Sequence, residues 1–401
     1  MGFYVRSIGD NAFSSCTSLT SIILPQKLES IGNYAFGSVS TGGEYCPITS
    51  IVIPFSVKTI GYGAFYRCRD LALVSFEVDD DGESYLTNIG DLAFEGCAFT
   101  SITIPNSVTT IGERAFASNE KLTTAILGNG ITEIKRYAFE YCNYLTSITI
   151  PDGVTSIGEG AFEGCNNLTS VKLPTSLTSM GENVFAYCPL TSIELPDAFT
   201  VIPDNFFANV LNLQYIKLGN NVKSIGKNAF GSSDPVIEIG TSTPPAIDKN
   251  AFPNVTYLSD LTVIVPDEAA EKAYRKAAVW EKMTFSNLNN NSEVTVDTPG
   301  DIGFELITEC GMMPAMVVGL KVNGTINADD FSQMLVNMKS LLRLDLSDCD
   351  ITEIPDEALK GKTQLRELTL PSKLKTIGRS AFQDCTNLTG ELNLPSTVTT
   401  I

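Results

Sequence analysis

The sequence contains no histidine. A Ser-His-Asp triad, a Cys-His dyad and any His-ligated zinc or haem are thereby excluded. Basic residues are scarce: 27 Lys plus Arg stand against 46 Asp plus Glu, a formal charge of −19. Such a surface repels phosphate backbones and argues against a nucleic-acid partner. No stretch approaches eighteen uninterrupted apolar residues, so no transmembrane segment is expected. Residues 1–9 lack the charged, apolar and cleavage regions of a signal peptide. Tryptophan occurs once, and charged residues are only 18% of the chain. What remains is a 43% hydrophobic share, ample for a large core and unlike a disordered chain. The 401 residues predict two domains or one long repeat array.

The repeats decide between these. Ile-Gly-x-x-Ala-Phe occurs at 8–13, 31–36, 60–65, 89–94, 111–116, 157–162, 225–230 and 377–382. Degraded copies stand at 134–139, 180–185, 202–207, 247–252 and 354–359. From 89 onward the steps are 22, 23, 23, 23, 22, 23 and 22 residues. Between copies runs a second string, L-x-x-I-x-L-P, as in Leu168 to Pro174. Its apolar fourth and sixth positions alternate with polar ones and end at proline, which predicts a short strand and a stop. The next segment, such as Ser176 to Gly181, returns on the opposite side. Ala-Phe-x-x-Cys then predicts a short helical turn or irregular coil. One repeat is one coil of a solenoid, and stacked coils bury what a single coil cannot. Eleven coils at about 4.8 Å each make a parallel sheet about 50 Å long. The phenylalanines from Phe13 to Phe252 are predicted to stack as one internal spine.

The cysteines follow the same logic. Cys16, Cys68, Cys97, Cys142, Cys165, Cys188 and Cys385 each lie three residues after the sixth residue of the motif, and Cys46 is in phase after an insertion at 37–45. Other copies carry Asn119, Val210 and Ser233 at that place. A site accepting these is a small buried slot rather than an obligate bridge, so free thiols are expected.

These strings resemble the BspA-like leucine-rich repeat family, the Treponema pallidum type, over residues 1 to about 285 and 341 to 401. The resemblance implies a leucine-rich-repeat solenoid of the α/β class. Short parallel strands form one face, irregular or short helical segments lie opposite, and one helix caps the array. Members are typically bacterial surface or secreted proteins, common in gut and oral Bacteroidetes and associated with adhesion and protein binding. The resemblance brings no catalytic residues and no cofactor.

Two breaks divide the chain. Residues 1–285 form the first array. Residues 254–285 are its cover, with a strand at Val263 to Pro266 and a helix capped by Asp267 running to about Met283. This tail also resembles the strand-helix end of many family members. Trp280 near its end is read as part of the cover, against the alternative of a carbohydrate platform. Residues 286–293 are polar and read as a linker. Residues 294–401 begin a second array. Its opening segment, 294–340, holds a strand near Gly319 to Val322 and a helix from Asn327 to about Met338. Leu341 to Cys349 is close to the general L-x-x-L-x-L-x-x-C string. The chain starts and stops inside coils, so a segment of a longer protein is expected.

The third and fifth positions of each string should face solvent. Ser and Thr dominate them, with Lys172, Glu194, Tyr215 and Lys217 toward the end. The candidate partner-binding face is Thr149, Ser170, Lys172, Ser192, Glu194, Tyr215 and Lys217, with Tyr215 the best single anchor. Its plainer reading is solvated strand filler. The acidic run Glu77, Asp79, Asp80, Asp81 and Glu83 could hold Ca²⁺, but it lacks the spacing of a calcium loop and reads as a charged surface loop. No metal is assigned. Catalysis would need paired carboxylates, a thiolate or a lysine, and nothing gathers them. The expected function is a non-catalytic surface module binding a protein or glycan ligand. The alternative is a structural spacer without a ligand of its own.

Overall fold

A computed structural model describes residues 4–38, 44–231, 233–389 and 391–401. The chain winds about 16 turns of a parallel-strand solenoid with few helices. Contacts divide it into two compact units. The first is Met1–Asn212 with Ile225–Ser233 and Asn250–Asn254; the second is Leu213–Ser224, Asp234–Lys249 and Val255–Ile401.

In the first unit each L-x-x-I-x-L string becomes a short strand, as at Ser101–Thr103, Thr124–Ile126, Ser147–Thr149 and Ser170–Lys172. These four lie side by side in parallel, in register one coil at a time, with Ser147 beside Ser170 and Thr149 beside Lys172. The returning segment is also a ladder. Two-residue strands from Ser7–Ile8 to Ser179–Met180 form an eight-stranded parallel sheet. The irregular side of the coil is thus narrower than the sequence pattern suggested.

The predicted spine forms in two runs. Phe13, Phe36, Phe65, Phe94, Phe116, Phe139, Phe162 and Phe185 stack in sequence with centroids 5.0–5.7 Å apart. Phe207, Phe230 and Phe252 form a second, separate stack. Their backbones pair as well: Phe65 N donates to Ala93 O and Phe116 N to Ala138 O, each at 2.8 Å. The Ala-Phe turn is therefore a third hydrogen-bonded column, which answers the demand of buried backbone groups.

The fourth position of Ile-Gly-x-x-Ala-Phe is left-handed in every described copy from Asn11 to Asn228, with Leu92 at φ 59° and Arg114 at φ 54°. The Gly of the motif has a different reason. A Cβ on Gly112 would stand 2.5 Å from Asp91 N, so the bare backbone is what lets neighbouring coils close up.

The second unit contains parallel strands Tyr215–Leu218, Val236–Ile239, Thr262–Val265 and Thr284–Asn287. It also contains Asn291–Val296, Gly319–Gly324, Arg343–Cys349 and Glu367–Thr369. Asp267 caps its helix as expected, accepting from Ala270 N at 2.8 Å. That helix ends at Tyr274, well short of Met283. Val279 turns left-handed at φ 73°, and Trp280 swings inward to donate its indole N–H to Pro245 O at 2.8 Å. Trp280 is buried, so it offers no platform to a sugar. Residues 286–293, read as a linker, are mostly strand. Ser286 and Asn287 pair with Ile264 and Val265, and Asn291 to Glu293 pair with Gly319 to Lys321. Their polarity marks strand ends rather than loose chain.

The helix Ala328–Asn337 starts with the expected capping box of Asn327 and Asp330. A helix that the sequence reading passed over, Ile302–Cys310, packs beside it. Asp330 serves both: its carboxylate also accepts from Gly300 N at 2.7 Å and Ile302 N at 3.0 Å.

Candidate functional site

In the first unit the strand face is open. Ser101, Thr103, Thr124, Ser147 and Thr149 alternate exposed with buried core residues between them. Thr149 and Lys172 are exposed neighbours, Ser170 is half-buried, and Glu194 is exposed. Ser192, expected on the surface, is buried. Ile23, Val52, Leu73 and Ile126 add exposed apolar side chains to this face. The ladder thus brings Thr149, Ser170 and Lys172 together in one sheet, with Glu194 in the coil that follows.

In the second unit the same face is closed, and the strongest sequence candidate is lost. Tyr215 is fully buried. Its side chain joins a core with Val236, Ile264, Val318 and Leu342, against which Leu288 packs. Its phenol donates to Glu238 Oε2 at 2.6 Å and meets the Arg366 guanidinium, which ion-pairs with the same carboxylate oxygen at 2.8 Å. Lys217 is not a free surface cation either, because its Nζ lies 3.9 Å from Glu238 Oε1. The strands announce this closure. Val236–Ile239 and Thr262–Val265 are buried at every position, which means both faces are covered.

A second open face, not proposed from the sequence, lies on the later strands of this unit. A cavity of about 270 Å³ is lined by Asn291, Lys321, Arg343, Asp345 and Glu367 among others. Arg343 donates to Leu288 O and Asn291 Oδ1, both at 2.8 Å, and Lys321 bridges Glu293 and Asp348. The third and fifth positions of the Leu341 string are Arg343 and Asp345, so applying the solvent-facing rule to that string would have found it.

The cysteine slot has a definite chemistry. The ten cysteines are free thiols. Cys142 donates its S–H to Phe116 O at 3.2 Å, Cys165 to Phe139 O at 3.3 Å and Cys188 to Phe162 O at 3.1 Å. Each thiol thus satisfies the carbonyl of the spine residue one coil back. Asn119 fills the slot the same way, with Nδ2 donating to Phe94 O at 3.1 Å. Burial pushes the Cys142 thiol up to about 12 and Cys97 higher still, which disfavours the nucleophilic thiolate at both. In the coil of Leu359 the slot holds Lys362, whose Nζ donates to Met334 O and Met338 O at 2.6 Å and Leu335 O at 3.2 Å. Burial lowers its ammonium to about 7.

The acidic run is a self-bonded turn. Asp79 Oδ1 accepts from the backbone of Glu83 at 2.9 Å and of Asp81 at 3.0 Å, and Oδ2 accepts from Tyr85 Oη at 3.0 Å. These bonds, that from Glu83 first, hold its carboxyl below the usual range. Among the described residues no group of three or more Cys, Asp or Glu is arranged to hold a metal ion. No helix among them is long and apolar enough to cross a membrane.

Stacked parallel strands, a phenylalanine spine and a repeated thiol slot define a leucine-rich-repeat solenoid. The BspA type leucine rich repeat region matches the chain in six copies, over residues 3–42, 44–146, 132–259 and 325–401. The chain belongs to that family. No curated protein matches it. Among solved structures, it is similar to a leucine-rich repeat protein from Bacteroides ovatus, at 25% identity over 96% of this chain and 81% of that one, TM-score 0.49. It is also similar to the T. pallidum leucine rich repeat protein, at 28% identity over 44% of this chain and 76% of that one, TM-score 0.34. The pneumococcal vaccine antigen PcpA matches at 20% identity over 70% and 76% of the two chains, TM-score 0.39.

Proposed function

We propose that the chain is a non-catalytic, cell-surface or secreted interaction module that binds a protein or glycan partner through the open strand face of its first unit. The observation that carries this reading is the rigid ladder of Ser147–Thr149 and Ser170–Lys172, which holds Thr149, Ser170 and Lys172 in register at the surface. The family supports it, since BspA type leucine-rich repeats are typically non-catalytic. Tyr215, Lys217 and Ser192 are no longer part of the proposed contact, because the first two serve the Glu238 network and the third is buried.

The test is a screen against extracellular-matrix proteins and a glycan array, followed by titration of any hit. Lys172→Ala with Glu194→Ala should weaken binding about tenfold or more, as surface anchors at an interface do, while leaving the thermal midpoint in place. A screen without hits on this face supports the spacer reading instead.

A further inference from the structure

The sequence holds two Asn-Gly pairs, Asn129-Gly130 and Asn323-Gly324. The side-chain amide of an asparagine is open to attack by the backbone nitrogen of the next residue. Glycine in that place has no side chain to shield the nitrogen. Whether the attack occurs in the folded chain depends on how each pair is held.

Asn323-Gly324 is locked. Both residues belong to the strand Gly319–Gly324. They pair with Thr295 and Val296 on one side and with Asp348 and Cys349 on the other. Asn323 Nδ2 also donates to Glu293 Oε1 at 3.1 Å. Reaction there requires the strand to open first.

Asn129-Gly130 is held differently. The two residues are the centre of a turn closed by Ile131 N, which donates to Gly128 O at 3.3 Å. Asn129 N donates to Asn106 Oδ1 at 3.0 Å, one coil back. The Asn129 side chain is exposed, and among the described residues its amide makes no hydrogen bond. Gly130 N donates to no other group among them either. The attacked carbon and the attacking nitrogen are therefore both without a partner that would have to be displaced.

Packing explains why so labile a pair stands here. A Cβ on Gly130 would overlap Asn106 O, so contact with the preceding coil fixes glycine at this place. One coil on, the same turn carries Asp152 and Gly153 and is closed by Val154 N on Pro151 O at 3.0 Å. The turn thus already holds a carboxylate in the neighbouring copy.

We propose that Asn129 is a site of spontaneous modification, converting to aspartyl and isoaspartyl forms in the folded protein. Gly130 N gives its proton to solvent base and bonds to Asn129 Cγ. The Cγ–Nδ2 bond breaks, and ammonia leaves with a proton from solvent. Water then opens the resulting succinimide at either of its two carbonyls. Opening at one gives aspartate, and opening at the other gives isoaspartate. Both products add a negative charge to the turn. The isoaspartyl product also lengthens the main chain where Gly130 meets Asn106 O. The site does not depend on the strand face having a partner.

The experiment incubates the whole chain, native and unfolded in guanidinium chloride, in mildly alkaline buffer made with heavy-oxygen water. Peptide mapping by mass spectrometry follows both asparagines, and chromatography separates aspartyl from isoaspartyl peptides. In denaturant the two pairs should convert at similar rates. In the native protein Asn129 should stay within about threefold of its unfolded rate, whereas Asn323 should slow about tenfold or more. The native product at 129 should carry one heavy oxygen, and its rate should rise with pH because the attacking nitrogen must lose its proton. The proposal is overturned if folding protects Asn129 as strongly as Asn323. It is equally overturned if the product at 129 is aspartate alone, which direct hydrolysis without the ring would give.

Discussion

A thiol three residues after the spine phenylalanine does two things at once. It fills a buried slot in the core, and it donates to the carbonyl of the phenylalanine one coil back. Asn119 replaces cysteine with the same pairing, donating to Phe94 O, whereas Ser233 donates to a different carbonyl of the previous coil, that of Val210. The slot favours a donor but does not require sulfur, and Val210 shows that it also accepts an apolar side chain. At pH 8 a thiol with a pKa near 12 is about one part in ten thousand thiolate. Cys142, Cys97 and Cys349 are therefore expected to resist Ellman's reagent in the native protein and to react at once in denaturant; native labelling mapped by mass spectrometry checks this. Cys142→Ser should cost about 1 kcal/mol or less, because the donor remains. The phenylalanine spine and the cysteine register were legible in the sequence, since a residue recurring every 22 or 23 positions can only be a stacking position. The thiol's hydrogen bond was not, because nothing in one coil shows which carbonyl of its neighbour is left unpaired.

At the scale of the element, the helix Ala328–Asn337 shows how a repeat slot is reassigned. A helix leaves its last carbonyls unpaired. Here Met334, Leu335 and Met338 aim theirs at the slot of the Leu359 coil, and Lys362 occupies it with three donors. The ammonium gains those bonds and the negative end of the helix dipole, but loses water. Burial dominates and lowers its pKa from 10.5 to about 7. The folded state then holds fewer protons than the unfolded state between about pH 7 and 10.5, so stability rises with pH across that window. Lys362→Met should abolish that part of the slope. At pH 10 it should cost about 1–3 kcal/mol by leaving helix carbonyls unpaired, and the gap should narrow toward pH 6. Urea midpoints of the two proteins across this range measure it. The capping box at Asn327 and Asp330 was readable from spacing alone. The second use of Asp330, at the start of Ile302–Cys310, required the two helices to be neighbours in space.

At the scale of the whole molecule, the two units treat the same strand position in opposite ways. In the first unit the outward residues of Ser101–Thr103 and Ser147–Thr149 are exposed. In the second, Val236, Glu238, Thr262 and Ile264 all point into packed interior. A carboxylate so buried needs its partners. Arg366→Ala should therefore destabilise the second unit by about 3–5 kcal/mol, the usual cost of stripping one side from a buried ion pair. Trp280 lies in this unit, and its fluorescence in urea reads the transition. Arg366→Met combined with Glu238→Leu and Tyr215→Phe should recover most of the loss, because an apolar cluster leaves neither a charge nor the Tyr215 phenol without its partners.

The outcome for Tyr215 marks the boundary between what sequence and tertiary structure each decide. Periodicity set the coils, the strands, the spine and the slot, because each of these is a contact between one repeat and the next and is written in every copy. Lys172, Thr149 and Glu194 kept their predicted exposure for the same reason: only their own coil and its neighbours determine it. Tyr215 obeyed the same periodicity and still became core. Its neighbours include Arg366, 151 residues away, and Val318 and Leu342, which belong to no adjacent coil. Local pattern states which way a side chain points, whereas only the packed chain states what stands in front of it.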